Sequence, residues 1–111
     1  MVTVEDVRAV ASQLPRAYEV VVADRVKFRV GRLVFASLSR DEKLLGFAYP
    51  KLERRALVDS DPDTFLMPVP SDERYNWVRV RLAALDRDEL RELVVDAWTM
   101  VVPKSVAAGY R

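Results

Sequence analysis

Apolar residues change their spacing at Tyr18. Before it, Val4, Val7, Val10, Ala11 and Leu14 fall on one face of a helix. Thr3 is placed to cap that helix, Asp6 supplies a partial capping box, and Pro15 forbids continuation. After it, apolar side chains recur at every second position, the period of a strand with one buried face. Tyr18 to Val22 is the first such run, Ala23-Asp24-Arg25 a tight turn, and Val26-Lys27-Phe28-Arg29-Val30 a clean alternation of apolar and basic residues. Gly31-Arg32 fits a two-residue hairpin turn, because glycine at the first central position supplies the positive φ of type II′. Leu33 to Leu38 returns as its partner. That turn predicts Val30 opposite Leu33 and Phe28 opposite Phe35, with all four on one side of the sheet.

A polar turn at residues 39–43 leads to a fourth strand from Leu44 to Tyr49, and Pro50 suits the first position of a short helix through Asp59, with Leu52 and Ala56 marking its turns. The stretch from Asp61 to Pro70 holds three prolines around Phe65, Leu66 and Met67, which permits at most a short edge strand. Trp77 to Leu82 is a second alternating basic strand. Asp86 and Glu89 then form a capping box for a helix whose apolar face is Leu90, Leu93, Val94, Ala97, Trp98 and Val101, and a last turn or two follows Pro103. Two amphipathic helices and an antiparallel sheet with one apolar face predict an α+β, two-layer sandwich in a single domain over residues 1–111, with the N- and C-terminal helices on the same face.

Composition excludes more than it assigns. The chain has neither Cys nor His, which removes disulfides, thiolate chemistry, the commonest general base and the commonest transition-metal ligand. No serine has a histidine to activate it, no G-x-S-x-G elbow occurs, and Gly31, Gly46 and Gly109 are too far apart for a phosphate-cradling loop. The carboxylate pairs Asp61/Asp63 and Glu89/Glu92 read as solvated charge, and the loop at residues 59–63 lacks the glycine and terminal glutamate of a calcium loop. The expectation is a non-enzymatic protein without cofactor or metal. No apolar run is long enough to cross a bilayer, and the acidic start leads into no apolar block, so the cytoplasm is the expected location.

The placing of charge carries what chemistry there is. Lys27 and Arg29 point away from the apolar side of their strand, as do Trp77, Arg79 and Arg81 of theirs, whereas the last helix is acidic through Asp86, Asp88, Glu89, Glu92 and Asp96. A net charge of +1 thus conceals a dipolar molecule. Two explanations compete for the basic strands. Guanidinium groups beside an indole can hold phosphates and stack on bases; equally, they are the solvated half of an amphipathic strand. Lys51, Arg54 and Arg55 form a second basic group at helical spacing. Tyr75 and Trp77, with Phe65 and Met67, are placed to line a small pocket under the proline-rich segment.

The run Phe28-Arg29-Val30-Gly31-Arg32-Leu33-Val34-Phe35-Ala36 resembles a hairpin of the MmcQ/YjbR family, and Phe65-Leu66-Met67-Pro68, Tyr75-Asn76-Trp77-Val78, Asp96-Ala97-Trp98 and Val102-Pro103-Lys104 resemble later blocks of it, in order. The chain departs from that pattern at Leu33 and Ala48, where lysine is frequent, and at Thr99, where a basic residue is usual. The resemblance implies a CyaY-like sandwich and DNA binding through a double-wing motif. The related iron-binding fold would need an acidic first helix, and Glu5 and Asp6 alone do not make one. The resulting expectation is nucleic-acid binding, DNA before RNA, through a basic sheet face and hairpin wings. Its residues are Lys27, Arg29, Arg32, Trp77, Arg79 and Arg81, with Arg54 and Arg55 in second rank. The alternative is a small-ligand or protein-binding accessory module using the pocket near the proline-rich segment. An open sheet edge also leaves room for a homodimer.

Overall fold

The computed structural model describes residues 1–110. Four strands follow one another as hairpins: β1 (Ala17–Val22), β2 (Arg25–Val30), β3 (Leu33–Leu38) and β4 (Leu44–Ala48). With β5 (Phe65–Leu66) and β6 (Trp77–Arg81) they form a six-stranded antiparallel sheet in the order β1-β2-β3-β4-β6-β5. Helix α3 (Arg87–Thr99) packs on the middle of that sheet against β3 and β4, and α1 (Val4–Ala11) packs on α3. Helix α2 (Arg54–Ser60) adjoins β5 at the edge, and α4 (Lys104–Tyr110) folds back on α3, its Tyr110 ring edge-on to Trp98 at 5.1 Å. The predicted α+β sandwich with both terminal helices on one face is the observed one.

The core fills the space between the sheet and these helices. Phe28, Phe35, Phe47, Val78, Val80, Val94 and Trp98 are all sealed from solvent. Trp98 donates its indole N–H to the Pro15 carbonyl at 2.9 Å, which ties α3 to the connection between α1 and β1 and satisfies the one polar atom of a buried ring. Both capping boxes form: Thr3 N–H donates to Asp6 at 2.9 Å, and the Asp86 and Glu89 amides donate to each other's carboxylates at 3.1 and 2.8 Å. The Thr3 N–H holds the Asp6 carboxyl below its ordinary range.

Three expectations of detail change. Helix α1 ends at Ala11 rather than running to Leu14, which enters the core from the following turn at 3 % exposure. Helix α2 begins at Arg54 rather than Pro50, because the Glu53 N–H closes a turn on the Pro50 carbonyl; Leu52 is left in solvent. In the β2–β3 hairpin, Gly31 has the expected φ of +60° and Val30 faces Leu33, but a bulge then puts Phe28 opposite Ala36. The bulge turns both Phe35 and Ala36 inward, so a small residue sits across from Phe28 while the two rings meet diagonally at 6.5 Å. Leu33, expected on the buried side, is 57 % exposed.

Between β1 and β2, Ala23 and Asp24 take φ of 52° and 64°, both left-handed, as a type I′ turn requires. Alanine gains nothing in that region and its Cβ costs roughly 1 kcal/mol there. Replacing the pair by Asn-Gly (A23N/D24G) is expected to stabilise the protein by about 1 kcal/mol and to raise its thermal midpoint by about 4–8 °C, as measured by circular dichroism.

Candidate nucleic-acid interface

Among the described residues no helix packs across the other face of the sheet, and the register fixes what it presents. Lys27 pairs with Ser37, Ser37 with Gly46, and Gly46 with Arg79, so these four side-chain positions lie in one row across β2, β3, β4 and β6. Arg25 and Arg29 flank Lys27 along β2, while Trp77 and Arg81 flank Arg79 along β6. Two files of large, mostly cationic groups therefore run side by side, three strand spacings or about 14 Å apart. Between them β3 and β4 contribute Val34, Ser37, Gly46 and Ala48. The result is an open trough of about 710 Å³, walled by Arg25, Lys27 and Arg32 on one side and by Trp77, Arg79 and the loop carrying Asp72 and Tyr75 on the other.

Glycine at position 46 is required by close approach. A Cβ there would lie 2.6 Å from the Trp77 indole nitrogen and 2.8–2.9 Å from two further ring carbons. The edge of the indole thus rests on β4, half-buried, and occupies part of the trough floor.

The hydrogen-bonding inventory of the trough is one-sided. Among the described residues, ion pairs engage Arg8, Arg55 and Arg87, and none involves Arg25, Lys27, Arg29, Arg32, Arg79 or Arg81. Arg29 Nε is buried without an acceptor. Arg79 Nε donates to the Met67 carbonyl at 3.0 Å, which pins the loop after β5 and leaves the rest of the guanidinium unpaired. Asp72 is the carboxylate that lines the trough. Like charges at alternate positions of one strand face repel, and the face supplies few acceptors to relieve them. The carboxylates Asp88, Glu89, Glu92 and Asp96 stand exposed on α3, behind the sheet, so the predicted dipole is present.

Of the residues named from sequence, Lys27, Arg79 and Trp77 line the trough, Arg32 stands at the β2–β3 hairpin tip beside it, and Arg29 and Arg81 continue the same strand faces beyond it, Arg81 bordering a second cavity that Glu5 and Glu42 also line. Arg54 does not. Its side chain is buried at 7 % exposure, and its guanidinium donates to the carbonyls of Glu73 (2.6 Å), Tyr75 (2.9 Å) and Trp77 (3.5 Å). It is a latch that holds the trough's rim, and the expectation of phosphate contact is corrected. Arg55 points into solvent on α2 and pairs with Asp59 at 3.9 Å, away from the cationic files. The expected pocket is also revised. Tyr75 and Trp77 line the trough, whereas Phe65, level with buried Val80, packs towards the core, and Met67 lends only its carbonyl. Arg25, expected in the turn after β1, is instead the first residue of β2, paired with Val22 and on the same face as Lys27; the alternation from Arg25 to Arg29 could have found it. Sequence reading passed over Arg74, whose guanidinium lies 4.8 Å above the Tyr75 ring.

A family model for YjbR proteins matches residues 12–100. The chain belongs to the YjbR family. In three dimensions it is similar to the crystal structure of Deinococcus radiodurans protein DR2400, a DUF419 domain, with a TM-score of 0.78 at 23 % identity over 93 % of this chain and 80 % of that one. Comparison with curated proteins gives no match. Among the described residues no helix is long and apolar enough to cross a membrane.

Two substitutions test this geometry. Gly46→Ala is expected to push the indole off β4 at a cost of about 1–3 kcal/mol, and to shift tryptophan emission to the red, since Trp98 stays sealed in the core. Arg54→Ala is expected to cost about 2–4 kcal/mol, because three main-chain acceptors lose a charged donor together; chemical denaturation reads the loss.

Proposed function

We propose that this YjbR protein is a non-enzymatic nucleic-acid-binding protein that takes a phosphate backbone along the cationic files of its open sheet face. The observation that carries the reading is the set of cations from two separate chain segments, β2 and β6, on one uncovered surface without carboxylate partners. Phosphate oxygens are strong acceptors that carry charge, so a polyanion supplies what the trough lacks in both hydrogen bonding and electrostatics. Arg25, Lys27, Arg79 and Arg81 are the phosphate-contacting groups, Arg32 reaches from the hairpin tip, and Trp77 offers an apolar surface between them.

Affinity depends on the release of counterions. With five cations on phosphates, log Kd against log salt has a slope of about 3.5 for a single strand and about 4.5 for a duplex. Lys27 and Arg81 make the cleanest test, since neither side chain has a partner within the described chain to lose. The double variant K27E/R81E is expected to lose more than about a hundredfold in affinity for labelled oligonucleotides at low salt, with its thermal midpoint within about 2 °C of the parent. Retained affinity in a folded K27E/R81E protein would remove this face from the argument.

A further inference from the structure

Resting on that reading, we infer that the trough accepts single-stranded nucleic acid in preference to duplex, with an unpaired base set against Trp77. The argument begins with where the aromatic groups stand. Trp77 belongs to the β6 file, but its indole leans inward over Gly46 of β4, onto the trough floor. Its indole N–H donates to nothing among the described residues. Tyr75 is 52 % exposed on the adjoining rim, with the Arg74 guanidinium above its ring.

A duplex keeps its base faces stacked inside and offers a convex surface of phosphates. It would touch the files along their crests and leave the indole, lower and between them, without a partner. A single strand separates the two functions. Its backbone follows one cationic file, and a base turned inward reaches the indole, where ring can lie on ring. Gly46 lets the indole settle low, and Ser37 of β3 keeps the floor beside it shallow, so that a base can enter between Trp77 and β2. A sheet face bearing aromatic groups among cations is a sequence-tolerant way to hold unpaired bases, because every base has a flat face.

The test uses the full chain with a short oligodeoxyuridylate, an oligouridylate and a DNA duplex of the same length. Binding is followed by anisotropy of an end label and by tryptophan fluorescence at about 50 mM salt. Trp98 is sealed in the core, so quenching reports Trp77. The expected result is roughly tenfold tighter binding of the single strands than of the duplex, quenching with single strands only, and a loss of about tenfold for single strands in Trp77→Leu with duplex affinity unchanged. Comparing the two oligomers distinguishes a deoxyribose from a ribose preference. Tyr75→Ala, at an exposed position, stands in should Trp77→Leu fail to fold, and is expected to weaken single strands severalfold. Equal or tighter duplex binding, or aromatic variants that bind single strands like the parent, overturns this inference and leaves the nucleic-acid reading standing. No binding to any of the three overturns both.

Discussion

A sheet with helices on one side alone has to meet water on the other, and most of this molecule follows from that asymmetry. The covered side takes Phe28, Val30, Phe35, Leu38, Leu45, Phe47, Val78 and Val80 from the strands and seals them beneath the helices. The uncovered side must then be polar or be shielded by long stems, and arginine and lysine do both: Lys27, Arg29 and Arg79 are half-buried, and among the described residues no carboxylate pairs with them. Solvation alone would be served as well by mixed charge. The files on β2 and β6 are of one sign, while Asp88, Glu89, Glu92 and Asp96 stand on α3 behind the sheet, and the proposed polyanion binding draws on this segregation.

How far the sequence could be read depended on whether the relevant force was local. Strand alternation, the Gly31 turn and both capping boxes are decided within a few residues, and each was visible. The bulge at Phe35 was not, since it answers a packing question between β2 and β3: two phenylalanines directly opposed would crowd the same spot, and Ala36 takes the position across from Phe28 instead. Pro50 likewise looked like a helix start, yet the chain first closes a turn there and delays α2 until Arg54.

The site was legible to the same extent. Alternation assigned Lys27, Arg29, Arg79, Arg81 and Trp77 to the outer face without knowledge of the strand order. What it could not supply is that β3 and β4 lie between the two basic strands, and that one of their residues is a glycine over which Trp77 leans. Arg54 was misjudged for a physical reason: a helix wheel reports which residues are neighbours, not whether a loop from elsewhere in the chain brings carbonyls to meet one of them.

The Arg54 latch has a consequence for how this fold can diversify. Every acceptor it uses is a main-chain oxygen, from Glu73, Tyr75 and Trp77. The outline of one wall is thus held by a buried cation together with Asn76, whose Oδ1 accepts from the Lys51 N–H at 2.9 Å, and Arg74 and Tyr75 can be exchanged while the contour they hang from stays put. Shape and exposed chemistry are thus written largely in different residues, and this loop is where the surface can change without disturbing the fold.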